Sequence, residues 1–242
     1  MGEIRPMTEA PFVAEPARAA VAPQATPADA AVLPGAKRMS VLEHPLAQHA
    51  LTILRNRHTA PPKFREVCNQ LLVLLAIEAI RSLPMCDEPV EVATGVHPGQ
   101  ALAKPVVIFS LNRHSLGLAH GMVDFLPGAM VGTISMDRAA VGHGIEPRLQ
   151  LNNAPLLDSA CVILFDPVVG SGGSASTALD LLRRSGAKDM ILLSFIGSLA
   201  GLSRVHSSFP DLKIWTAGID MELDPKRGPL PGLGDFAERL YG

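Results

Sequence analysis

The sequence predicts an α/β fold: a parallel, Rossmann-like sheet with helices on both faces. Three observations carry that expectation. Five short apolar runs rich in β-branched residues recur along the chain, and segments of helical period stand between them. In addition, 48% hydrophobic against 18% charged residues supplies enough apolar surface to bury a sheet on two sides. Strands that alternate with helices connect through right-handed crossovers, which makes neighbouring strands parallel.

The elements follow in chain order. Residues 1–38 stand apart: Ala and Pro fill 17 of the first 40 positions and Phe12 is the one aromatic residue there, a composition that cannot offset the entropy of ordering. A disordered or polyproline-like extension is expected over 1–38, and one folded domain over 39–242. "HPLAQHALTILRNRH" predicts a helix burying Leu46, Ala50, Leu51 and Leu54. "KFREVCNQLLVLLAIEAIRSL" predicts a second, burying Phe64, Val67, Leu71, Leu74, Leu75 and Ile80. Strands are expected over 105–111, 129–136, 161–166, 190–197 and 213–220, with helical patterns in "GLAHGMVDFL", "SASTALDLLRRSG" and "AGLSRVHSSFP" between them.

Composition also excludes partners. A net charge of −2 and an isoelectric point near 6.4 lack the basic surplus that nucleic acid or an anionic membrane surface demands. No run reaches the ~18 to 20 apolar residues of a membrane span. Early acids and prolines occupy the place of a signal peptide's apolar region, so a cytoplasmic protein is expected. Cys68, Cys86 and Cys161 have no CxxC or Cys–His spacing and are odd in number, which fits reduced thiols. His114, His120 and His143 do not stand at metal-ligand spacing with a carboxylate, so no metal ligand is assigned. Trp215 sits in an apolar run and reads as strand packing.

Chemistry concentrates in "VILFDPVVGSGGSASTALDLL", residues 162–182. An apolar strand ends on Asp166, where ligands collect in parallel α/β sheets. Gly170, Gly172 and Gly173 let the backbone turn and approach a ligand. Ser171, Ser174 and Ser176 bring hydroxyls, and the following helix turns its N-terminal amides toward the same place. That is a seat for a phosphate. It lacks the Lys of a Walker A loop and the spacing of GxGxxG. A carboxylate beside such a seat can accept hydrogen bonds from the hydroxyls of a phosphorylated sugar.

"FDPVVGSGGSASTALDLLRRSGAK" resembles the phosphoribosyl-pyrophosphate (PRPP) loop of the uracil phosphoribosyltransferases, whose single Asp followed by Pro differs from the paired acids usual in other phosphoribosyltransferases. "HPLAQHALTILRNRHT", "FPDLKIWTAGID" and "GPLPGLGDFAERLYG" are similar to that family's N-terminal helix, last core strand and uracil loop. The resemblance spans about residues 43–242. It implies a phosphoribosyltransferase-like domain with N-terminal helices and a small hood, making UMP and pyrophosphate from PRPP and uracil in pyrimidine salvage, with Mg²⁺, as a homodimer or homotetramer with a GTP effector. It implies catalytic roles for Arg113, Arg138, Asp166 and Asp235. PRPP binding falls on those four with Pro167, Val168, Val169, Gly170, Ser171, Gly172, Gly173 and Ser174. Base binding falls on Pro229, Gly234, Asp235 and Phe236.

Several positions depart from the family pattern. His114-Ser115 replaces Ala-Gly, Asp137 replaces Tyr, Phe236 replaces a small residue, and "AAVGHGIEP" replaces an acidic hood run. A phenyl ring at 236 changes the volume of a base pocket, and Pro229 has no amide to donate. A different heterocyclic acceptor, or a non-catalytic nucleotide-binding homologue, therefore remains open on sequence.

Overall fold

The structure, a computed structural model, describes residues 39–126, 128–138, 145–150, 157–226 and 228–242. An eight-stranded sheet organises it. The strand order is β1 (Met39–Val41), β12 (Lys213–Asp220), β11 (Asp189–Ser198), β9 (Cys161–Phe165), β6 (Val106–Leu111), β7 (Met130–Arg138) and β8 (Ile145–Gln150), with β10 (Val168–Val169) pairing to β11. All these pairings are parallel except that of β7 with β8.

The period-two alternation of strand side chains divides the core in two. Ile108, Ile163, Phe165, Leu193 and Phe195 face α1 (Pro45–Arg55), α2 (Pro61–Ile80), α3 (Leu116–Gly121) and α6 (Phe236–Tyr241). Val107, Phe109, Val162, Leu164 and Leu192 face α4 (Gly173–Arg184) and α5 (Leu199–Ser208). Because both faces are covered, β6 and β9 are buried along their whole length, which is why they read in sequence as unbroken apolar runs.

His44 caps α1, its Nδ1 accepting from the Leu46 amide at 3.1 Å, and Pro45 opens the helix. Ala47, Ala50, Leu51 and Leu54 make the buried stripe at i, i+3, i+4 and i+7. Leu46, expected in that stripe, lies one position off it and is 59% exposed. In α2 the stripe runs through Phe64, Val67, Cys68, Leu71, Leu72 and Leu75, and Leu74 and Ile80 flank it half-buried. Trp215 on β12 is half-buried against the same core.

All five expected strands are present. Strands β1, β8 and β10 were not expected, nor were three antiparallel pairs: β2 (Met85–Asp87) with β5 (Gln100–Leu102), β3 (Val90–Val92) with β4 (Gly95–His97), and β13 (Glu222–Asp224) with β14 (Gly228–Leu230). Residues 84–98 are exposed throughout, so the ribbons they form have no buried face to print on the sequence. Residues 1–38, and His143 with residues 139–144 of the expected flap, lie outside the described residues. Cys68 and Cys161 are buried and Cys86 is exposed, all three free thiols; burial pushes Cys161 up to about 12. No helix among the described residues is long and apolar enough to cross a membrane.

Candidate active site

β6 and β9 are hydrogen-bonded neighbours whose chains leave toward opposite faces, β6 into α3 and β9 into α4. This divergence opens a crevice at their carboxyl ends. Asn112 follows β6 and Asp166 follows β9, and both border it. The Asp166 amide donates to the Leu193 carbonyl at 3.0 Å, and the Pro167 carbonyl accepts from the Phe195 amide at 3.0 Å. The chain therefore stays anchored to β11 while the Asp166 side chain projects from the strand end.

Two cavities of about 270 Å³ each meet at this point and share Leu111, Asn112, Asp166 and Val168. Burial pushes the Asp166 carboxyl up to about 7, against the lowering effect of a hydrogen bond from the Val168 amide.

The first cavity lies where a phosphate seat is expected, bordered by Gly170, Ser171, Gly172, Gly173 and Ser174. Gly172, at φ 74°, precedes α4, and no side chain caps that helix, so its first amides turn toward the cavity without a side-chain acceptor. A Cβ on Gly172 would strike the Gly201 carbonyl, and one on Gly201 would strike the Gly170 carbonyl. These glycines thus serve backbone-to-backbone packing of the loop on α5, beyond any ligand. Ser198 fixes the contact, its hydroxyl donating to the Gly170 carbonyl at 2.6 Å and accepting from the Gly201 amide at 2.9 Å. Two expected contacts point elsewhere. Val169 packs into the core, and the Ser176 hydroxyl is buried without a partner among the described residues.

Gly234, Asp235, Phe236, Pro167 and His114 border the second cavity. Asp235 caps α6 by accepting from the Glu238 amide at 3.0 Å. The Phe236 ring borders the cavity yet is seated in the core, 5.6 Å edge-on from Phe64 and 6.0 Å from Phe195. Pro229 pairs with Leu223 across β13 and β14 and is not part of the cavity wall.

Two arginines fasten this C-terminal loop to α1. Arg55 makes a bidentate ion pair with buried Asp220 (2.6 and 3.2 Å) and donates to the Gly232 carbonyl at 3.1 Å, while Asp220 accepts from the Gly232 amide at 2.9 Å. Arg239 donates to the carbonyls of Leu54, Leu233 and Asn56, the last two at 2.8 and 2.7 Å, with its guanidinium 4.3 Å from the Phe64 ring centroid. Sequence reading missed this fastening, because the partners are more than 160 residues apart.

Arg113 opens the 3-10 turn Arg113–Ser115 directly after Asn112, and Arg138 ends β7, the strand beside β6; for these two the backbone position is what is described. Asn112 borders both cavities as well; sequence reading passed over it, and its one signal was the tolerance of Asn for left-handed turns.

No group of three or more His, Cys, Asp or Glu able to hold a metal occurs among the described residues. Asp166 and Asp235 do border one cavity together. A Mg²⁺ ion that keeps several waters and binds through one or two carboxylates and substrate oxygens fits that donor set.

The family model of uracil phosphoribosyltransferase matches residues 41–242. A uracil phosphoribosyltransferase of Pediococcus pentosaceus is 35% identical over 207 residues, 85% of this chain and 98% of that protein. One of Thermosipho africanus is 36% identical over 206 residues, 84% of this chain and 98% of its own. Among solved structures, the AQ2163 protein of Aquifex aeolicus superposes with a TM-score of 0.74 at 25% identity, covering 84% of this chain and 97% of that one. An adenine phosphoribosyltransferase of Trypanosoma brucei, solved with AMP, pyrophosphate and ribose-5-phosphate, shares the fold at a TM-score of 0.53 and 14% identity, covering 81% of this chain and 88% of that one.

Proposed function

The chain belongs to the uracil phosphoribosyltransferase family, and from that premise we propose that it transfers the phosphoribosyl group of PRPP to uracil, giving UMP and pyrophosphate. The observation that carries the reading is the meeting of two cavities at Asp166: one bordered by the Gly/Ser loop and the first turn of α4, the other by the C-terminal loop. A sugar phosphate in the first and a planar base in the second would bring C1 and its attacking nitrogen together at the junction, and holding two reactants in register supplies much of the catalysis such a transfer needs.

The loop from Asp166 to Ser174 holds the 5-phosphate, and the Asp166 carboxylate accepts from the ribose hydroxyls. Arg113 and Arg138 pair with the diphosphate, whose charge grows as the C1–O bond breaks. Gly234 and Phe236 offer backbone groups to the uracil edge, and Asp235 stands at the mouth they share. Mg²⁺, held by the diphosphate oxygens with Asp166 or Asp235, would neutralise part of the leaving charge.

Oligomerisation and a cytoplasmic setting belong to the same reading. Met85, Val90, Val92, Val96 and Leu102 are 43 to 73% exposed on the ribbons of residues 85–102, an apolar surface that a second copy of the chain would cover. GTP acts as an effector in the same reading, and adding it to the assay below should raise the rate; an unchanged rate would remove it.

Purified protein with PRPP, Mg²⁺ and each of a panel of pyrimidine and purine bases, followed by pyrophosphate release, tests the acceptor. Release with uracil above all other bases is the expected outcome. A preference for another base would shift the acceptor, and no release with any base would remove the transfer.

A further inference from the structure

We propose that Asn112 is a substrate-binding residue whose side-chain carboxamide donates a hydrogen bond to the ribose-diphosphate portion of PRPP, a role that rests on the phosphoribosyl-transfer reading. Asn112 is the one non-glycine residue with positive φ, 71°, among the described residues. A left-handed conformation at a residue bearing a side chain is held only where its surroundings impose it.

Here the surroundings are in view. The Asn112 amide donates to the Ile134 carbonyl of β7 at 3.0 Å. Its carbonyl accepts from the Ser110 hydroxyl at 2.9 Å, and the buried hydroxyls of Ser110 and Ser115 lie 2.7 Å apart beneath the turn. Every backbone group of Asn112 is therefore committed to the protein. Its side chain is not: among the described residues the half-buried carboxamide has no hydrogen-bond partner. Asn112 borders both cavities, as Asp166 does from the neighbouring strand. Whatever lies at the junction of phosphate seat and base cavity meets a carboxylate from one strand end and a neutral amide donor from the other. The ribose and its diphosphate are the groups that the reading puts there, and an N–H is the neutral group that their oxygens require.

The competing explanation is that Asn serves only as a residue tolerant of the left-handed turn. Two variants separate them. Asn112→Asp has the same shape and a similar tolerance of positive φ, but replaces the donor with a negative acceptor. Asn112→Gly relaxes the turn and removes the side chain. Mg²⁺–PRPP binding is measured by calorimetry for wild type and both variants, with melting temperatures alongside. The expected result is affinity weakened about tenfold in Asn112→Gly and further in Asn112→Asp, where like charges meet, with both variants folded. Wild-type affinity in Asn112→Asp, or an equal loss in both variants, would assign Asn112 to backbone geometry alone and overturn the proposal while leaving the transfer reading intact. A wild-type protein that binds no PRPP would overturn both.

Discussion

A carboxyl group that burial pushes up to about 7 is uncharged over much of the range in which exposed aspartates are ionised. Because the folded-state value of Asp166 is raised, the unfolded chain loses this proton first as pH rises from about 4. Folding stability therefore falls through that window, and the full cost is present above 7. Asp166→Asn removes the cost. The ligand-free variant should melt above wild type at pH 8, with the difference shrinking as pH falls toward 5; a scan of melting temperature against pH checks this. The same substitution should lower UMP formation roughly ten- to a hundredfold, since a hydrogen bond to a charged acceptor is worth about 1.5 to 3 kcal/mol. Higher stability with lower activity is the mark of a group kept for function. A variant that gains stability and keeps full activity would remove Asp166 from the site. At Phe236 the packing on Phe64 and Phe195 gives the ring a second task. Truncation there would disturb core and cavity together, which the expected change in pocket volume alone did not anticipate.

The C-terminal loop and α6 depend on α1 through Arg55, Asp220 and Arg239. Arg239→Ala removes the hydrogen bonds to the carbonyls of Leu54, Leu233 and Asn56 and a cation-π contact, so the wall of the second cavity should loosen while the Gly/Ser loop, held separately by Ser198, should not. The expected outcome is a KM for uracil raised about tenfold with the KM for PRPP near wild type, and equal rises in both would contradict separate fastening. What sequence made legible at this scale follows burial. β6 and β9, covered on both faces, and α1, with its Ala47–Ala50–Leu51–Leu54 stripe, announce themselves by pattern. No residue in the ribbons of residues 85–102 is fully buried, and β10 is two residues long, so neither leaves a period to read. Asp166 and its loop were legible because strand, acid, glycines and helix follow one another in the chain. Asn112, the Arg55–Asp220 pair and the use of Gly172 against Gly201 arise from contacts between distant segments, which no local pattern encodes.

For the whole molecule, the homo-oligomer reading rests on the exposed ribbons, where Val96 is 73% exposed. Light scattering on the purified chain should give a dimer or tetramer, and Val96→Glu with Val92→Glu should shift it toward monomer; a monomeric wild type would overturn the homo-oligomer reading. On the proposed reading, the paired cavities at Asp166 join the phosphoribosyl group of PRPP to uracil. Its most direct test is the product balance in one reaction: uracil, PRPP and Mg²⁺ with the wild-type protein, with UMP and pyrophosphate quantified together over time. The two products are expected in equal amounts, both dependent on uracil. Pyrophosphate released without UMP, or neither product formed by folded protein, would contradict that reading.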